Sequence, residues 1–367
     1  MIIRFNKVII SKIIVLTIIS IIILNLNAST IEARKSLSIN SINEESENFA
    51  VIVACTDYKN SEYNIPIKPF KPIPERKLRC LYDSLIQSSN WDEENIILLL
   101  NEKADKKNIT DALDEMSNIV GPEDYFLFSW QGHGSEVVEN ISDGPLDEED
   151  GKDEIICPYD ISKNEKNNFV NYITDDELND YFNQINSLGM CLIFDCCLSG
   201  GMVDSNESVD KQEIFRLNLA QDFKYNSIKN SDVNCENRVI IMSTLAGFVG
   251  RATYLTGFPL TRALSFAFNG YANDENNDGY ISAEEAFIWA KPRSIAQSTL
   301  YWSFVMGLNY ITYLIGPARH PFIRSFLKMV ISYILTQKIV KSKSSHLLMN
   351  YPNMQDDYDG DLCLVKI

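Results

Sequence analysis

The sequence predicts an α/β fold with a mainly parallel central sheet flanked by helices, from three observations. Five short apolar runs read as buried strands: FAVIVAC (49–55), NIILLL (95–100), YFLFSW (125–130), MCLIFDC (190–196) and RVIIMST (238–244). Helical stretches alternate with them, the order that a parallel sheet needs for its crossovers. The chain of 367 residues is 45% hydrophobic and 11% aromatic, enough to bury such a core.

Residues 1–29 read as a targeting segment. Arg4, Lys7 and Lys12 precede the apolar stretch IIVLTIISIII, and Ala28 and Ser29 offer a place for cleavage. As a signal peptide or a signal anchor it puts the body outside the cytosol, exported or membrane-associated; the bland alternative is a buried hydrophobic helix. A polar linker (30–48) leads to the first strand. The Pro-rich loop IPIKPFKPIP follows, then a helix from about Glu75 to Gln87, the second strand, a helix over Thr110–Ile119 and the third strand. A long acidic loop runs to Asp160. Thr174 caps the next helix ahead of Asp175, Asp176 and Glu177. Between the fourth and fifth strands, Asp204–Glu236 reads as a long exposed loop. Helices over Pro259–Phe268 and Ala283–Ala290 follow, and LCLVKI (362–367) reads as an edge strand.

The formal net charge is −17, which argues against a nucleic-acid partner, since phosphates are held by Lys and Arg. The excess acid suits bound cations or a basic substrate, although its default meaning is solubility. From Ala286 to Gln355 there is no acid and the charge is +8, so the remainder carries −25. The eight cysteines show no CxxC spacing and four lie within or beside apolar runs, so most read as small buried hydrophobes.

In parallel sheets functional groups collect just beyond the strands' C-terminal ends. Two candidates stand there. QGHGS places His133 between Gly132 and Gly134 after the third strand, and DCCLSGG (195–201) places Cys196 and Cys197 after the fourth. A cysteine nucleophile needs a base to make its thiolate and N–H donors for the developing oxyanion, and glycines leave such donors open. From the residues alone, a Cys–His dyad competes with a structural cysteine and a loop histidine.

The chain resembles the caspase-like cysteine peptidases, and within them the metacaspases. Five motifs carry the likeness in order: LRCLYD (78–83), FLFSWQGHGS (126–135), DEEDGKDEIICPYD (147–160), ITDDEL (173–178) and CLIFDCCLSGG (191–201). The resemblance implies a caspase-like sandwich with Cys197 as nucleophile and His133 as general base. It implies an oxyanion hole from the N–H groups of Gly134 and Cys197. A specificity pocket for Arg or Lys would draw on Asp83 and Asp195, with Cys80 and Gln131 lining it. Cys196 is expected to pack, the alternative being a vicinal disulfide with Cys197 that would switch the enzyme off. Leu198 and Gln131 depart from the family pattern, which more often has His and Ser there. Lys211, Arg216, Lys224 and Lys229 are candidate autoprocessing sites.

Two calcium sites are expected. The resemblance implies one at Asp153, Asp175, Asp176 and Asp204; the bland reading is a solvated acidic loop with helix N-terminal charges. Independently of family, DENNDGYISAEE (274–285) fits the EF-hand loop. Asp274, Asn276, Asp278, Tyr280, Ser282 and Glu285 occupy the ligand positions and Gly279 the sharp turn. Its bland reading is an Asn/Asp-rich turn between helices.

The caspase-like domain is expected over 49–291, with a return at 345–367. Residues 292–344 read as a basic hydrophobic insertion. Ser294–Gly316 carries no charge and a basic amphipathic stretch follows, which suits membrane contact through 294–340; the rival is a helical pair packed on the domain or making a dimer. The expected function is a calcium-dependent cysteine endopeptidase acting on polypeptides that contain basic residues. The rivals are a noncatalytic calcium-binding adaptor on the same fold and a legumain-like peptidase specific for Asn or Asp.

Overall fold

The computed structural model describes residues 46–65, 73–138, 152–196, 237–243, 252, 257–297, 352–358 and 360–367. All of them lie within one compact unit, Asn40–Ile367. The leader, the loop 204–236 and residues 298–344 of the basic tract fall outside the described residues, as do the readings made on them.

In chain order the elements are β1 (Asn48–Ala54), α1 (Glu75–Leu78), α2 (Cys80–Leu85), β2 (Ile96–Leu100), α3 (Lys106–Ile119), β3 (Tyr125–Gln131), β4 (His133–Val138) and β5 (Lys152–Cys157). Then come β6 (Ser162–Lys163), β7 (Phe169–Val170), β8 (Ile173–Thr174), α4 (Asp175–Gln184), β9 (Gly189–Asp195) and β10 (Arg238–Met242). The last are α5 (Pro259–Phe266), β11 (Tyr280–Ser282), a helix α6 over 283–297, β12 (Asn353–Asp356) and β13 (Cys363–Lys366). The central sheet has the order β12-β10-β9-β3-β1-β2. Its first five strands in sequence are mutually parallel and β12 joins antiparallel at the edge.

Strand alternation sorts side chains onto the two faces. Phe49, Val51 and Val53 of β1 and Phe126, Phe128 and Trp130 of β3 pack with Ile109, Leu113 and Met116 of α3 and Leu178 and Phe182 of α4. Ala50, Ile52, Leu127, Cys191 and Ile193 face the other way, onto Leu81 and Leu85 of α2, Leu260 and Leu264 of α5, and Ala286 and Phe287 of α6. Both faces are covered, so the strands are apolar throughout. This is the expected α/β class, a mainly parallel sheet between helical layers.

Several elements differ from the expectation. Helix α3 starts earlier than Thr110, because the Asp105 carboxylate accepts from the Asn108 N–H and caps the turn Lys106–Asn108. The acidic loop through Asp160 contains β4 and β5, an antiparallel pair with His133 opposite Cys157, and β8 adds to β5. These strands are half polar, so they lack the apolar run that marks the central sheet. The helix beginning at 283 continues beyond Ala290 to 297, through residues assigned to the insertion. The edge strand β13 does form, yet it pairs with β11 in a separate two-stranded sheet. Among the described residues no helix is long and apolar enough to cross a membrane.

Candidate active site

The register of the central strands sets the site. Gln131 at the end of β3 is the partner of Asp195 at the end of β9. His133 lies two residues beyond the first and Cys197 two beyond the second, so both chains leave adjacent strand ends. Cys196 is buried, its carbonyl accepting from Ser243 Oγ at 3.0 Å. Cys197 follows immediately, outside the described residues. Gly134 lies on β4 opposite Ile156.

His133 is held at its backbone and its ring. Its N–H donates to the Tyr58 hydroxyl at 2.8 Å, and its carbonyl accepts from Trp130 Nε1 at 3.2 Å. Its Nε2 lies 2.7 Å from the Tyr63 carbonyl. A carbonyl can only accept, so Nε2 carries the proton and Nδ1 of the neutral ring keeps its lone pair for chemistry. Burial pushes the imidazole below its ordinary pKa, opposed by the bond to Tyr63. Gly132 makes this packing possible: a Cβ there would stand 2.5 Å from the Trp130 ring and 3.0 Å from the Tyr58 hydroxyl.

On the opposite face, Asp195 is buried and its Oδ2 accepts from Thr261 N at 2.8 Å and Thr261 Oγ1 at 3.1 Å. The carboxylate therefore caps the first turn of α5, and Ser243 also bonds to it. Burial raises its pKa to about 6, with the Thr261 and Ser243 bonds resisting. The Cys80 thiol is pushed up to about 11 by burial, opposed by a bond to Ser265 and by nearby Arg262. Gln131 is fully buried and spends its amide N–H on the Leu78 carbonyl at 3.2 Å. Asp83 differs from these three. Its side chain is 43% exposed and pairs with Arg79 at 2.7 Å. Sequence reasoning missed Thr261, Ser243 and Ser265, because polar residues at a helix start and a strand end carry no motif.

Asp153 is buried on β5, and the register Ile155↔Thr174 brings it toward the first turn of α4, where Asp175 is buried and Asp176 half-buried. Asp204 falls outside the described residues. In the loop 274–285, Gly279 takes φ +85° and Asn277 φ +60°. Asp274 accepts from the N–H groups of Asp278 and Gly279, Asn276 from that of Asp278, and Asp278 from that of Tyr280. Ser282 and Glu285 form a reciprocal capping box at the start of α6. The donor set is all oxygen and suits a hard divalent cation. Its carboxylates are engaged by the loop's own amides, and among the described residues no three His, Cys, Asp or Glu side chains are grouped to hold a metal.

Residues 77–206 match the family model described as "Metacaspase, peptidase C14 domain". "Metacaspase-1B" of Neurospora crassa is 30% identical over 154 residues, 40% of this chain and 34% of that protein. "Metacaspase-1" of Ajellomyces capsulatus is 27% identical over 179 residues, 46% of this chain and 48% of that protein. The chain thus spans about a third to a half of the length of these two relatives. Among solved structures, Caspase-1 from Spodoptera frugiperda aligns with a TM-score of 0.45 and 11% identity, covering 92% of this chain and 98% of that one. Residues 77–206 are thus similar to the metacaspase peptidase domain.

Proposed function

We propose that the chain is a calcium-dependent cysteine endopeptidase that cleaves after Arg or Lys. One observation carries the reading. The strand end leading to His133 lies beside the one leading to Cys197, and the His133 ring presents an unprotonated Nδ1.

On this reading His133 Nδ1 takes the proton from Cys197 Sγ, and the thiolate attacks the scissile carbonyl carbon. The carbonyl oxygen becomes an oxyanion, met by the N–H groups of Gly134 and Cys197. His133 returns the proton to the leaving amine, and water, deprotonated by the same imidazole, hydrolyses the thioester. Asp195 gives the pocket a buried negative charge for a guanidinium or ammonium, and Cys80 and Gln131 line it. Asp83 contributes less, since Arg79 already neutralises it at a half-exposed position.

Calcium held by Asp274, Asn276, Asp278, Tyr280, Ser282 and Glu285 would neutralise that loop and fix the start of α6. A second ion would sit with Asp153, Asp175, Asp176 and Asp204. The leader and the tract 292–344 direct the protein out of the cytosol or onto a membrane.

The deciding experiment uses fluorogenic peptides ending in Arg, Lys, Asn or Asp, with millimolar calcium or a chelator, beside Cys197→Ala. Arg and Lys peptides should be cut only with calcium and only by wild type. Cleavage after Asn would favour the legumain-like alternative, and no cleavage by folded, reduced protein would favour the adaptor. For the loop, Glu285→Gln should weaken calcium binding by tenfold or more, read by calorimetry, because the twelfth position supplies the carboxylate that grips from two oxygens (roughly this effect is expected for a lost charged ligand). An unchanged affinity would remove the loop as a calcium site.

A further inference from the structure

We propose that Tyr58 is a positioning residue for the general base, its hydroxyl and its ring face together fixing where the His133 imidazole stands. The inference rests on the peptidase reading above and assigns a role to a residue that the sequence did not single out.

Tyr58 follows β1 and is buried at 3% exposure. The buried phenol oxygen accepts from the backbone N–H of His133 at 2.8 Å, and the hydroxyl also bonds to Cys55. The phenol ring also lies against the imidazole, with centroids 5.2 Å apart and planes 34° from parallel. Tyr58 in turn meets the Tyr63 ring edge-on at 6.5 Å, and the Tyr63 carbonyl takes the Nε2 proton. One loop therefore holds the histidine by backbone, ring face and ring nitrogen. That loop is itself fastened: Asn64 Oδ1 accepts from Tyr58 N at 2.8 Å, and Asn64 Nδ2 donates to Asp57 Oδ1 at 2.8 Å.

The bond to the backbone N–H and the stacked ring together tie the phenol to the place where the imidazole stands. A shift of the ring by a fraction of an ångström would misalign Nδ1 with the incoming proton. The titratable groups facing this cluster are Tyr58 and Tyr63 themselves, Cys157 opposite His133 on β5, Cys55 bonded to Tyr58, and Asp57 and Asp160 near Cys55.

Two variants separate the contributions. Tyr58→Phe keeps the ring and removes the hydroxyl; Tyr58→Leu removes both. With an arginyl peptide and calcium, Tyr58→Phe should lower kcat about tenfold with KM changed less than about twofold, the loss expected for one hydrogen bond that orients the base. Tyr58→Leu should lower kcat further. It should also move the acidic limb of kcat to higher pH, because water reaching the imidazole lifts its pKa back toward the ordinary value. The titration of His133 is read directly by NMR in a Cys197→Ala background, among only three histidines in the chain. Wild-type kcat and an unmoved His133 titration in both variants would overturn the proposal. So would losses that merely track a fall in Tm. If the wild type itself cuts nothing, the peptidase reading fails separately, and the NMR titration still decides whether Tyr58 sets the histidine.

Discussion

Replacing His133 with alanine is expected to lower kcat for an arginyl peptide by about 10³-fold, the usual worth of a positioned general base, with KM nearly unchanged. A general base acts on the chemical step, so the loss should fall on kcat. A second readout needs no substrate. Alkylation of Cys197 by iodoacetamide at pH 7 should slow in the variant, because the thiolate is no longer drawn out by Nδ1. Burial holds the imidazole below its ordinary pKa, so at pH 7 it is neutral and ready to accept a proton. Turnover and alkylation equal to wild type would remove His133 from the mechanism and leave it a structural residue at the start of β4, held by Tyr58, Tyr63 and Trp130.

Much of the candidate site is legible in the sequence, and the physical reason is strand chemistry. A strand buried on both faces must be apolar along its whole length, so YFLFSW and MCLIFDC announce both their positions and the ends where function collects. His133 and Asp195 are read directly from those ends. What stayed hidden is held together by contacts distant in sequence. The hold of Tyr58 on His133 spans 75 residues and that of Thr261 on Asp195 spans 66, and neither leaves a periodic trace. The β4–β5 pair was hidden because half its residues are polar. Motif likeness also groups residues that the fold treats differently. Asp83 and Asp195 were read as one pair of pocket carboxylates, yet one is bonded to Arg79 in partial solvent and the other is buried beneath a helix start.

That contrast predicts a separation of stability from activity at Asp195. Its folded-state pKa, about 6, lies above the ordinary carboxylate value. The folded protein therefore binds this proton more tightly than the unfolded chain does, and ionisation costs stability. The cost is absent below pH 4, grows as pH rises to about 6, and stays constant above, reaching at most about 3 kcal/mol. Asp195→Asn removes the buried charge and keeps an oxygen that can accept from Thr261. It should unfold no earlier than wild type at pH 8, with the difference shrinking toward pH 4. Activity should move the other way. Losing a buried charge that meets a guanidinium should cost about 10²-fold in kcat/KM for an arginyl peptide. The isosteric citrulline peptide, which is neutral, should lose little. The pH profile supplies a third reading. In wild type, burial raises the Asp195 pKa to about 6, so protonation of this carboxylate should add to the fall of kcat/KM for arginine on the acid side. In Asp195→Asn that contribution should disappear, leaving only the limb set by His133. If the variant kept a full preference for arginine over citrulline, Asp195 would be only the cap of α5, and the pocket's charge would have to come from another residue.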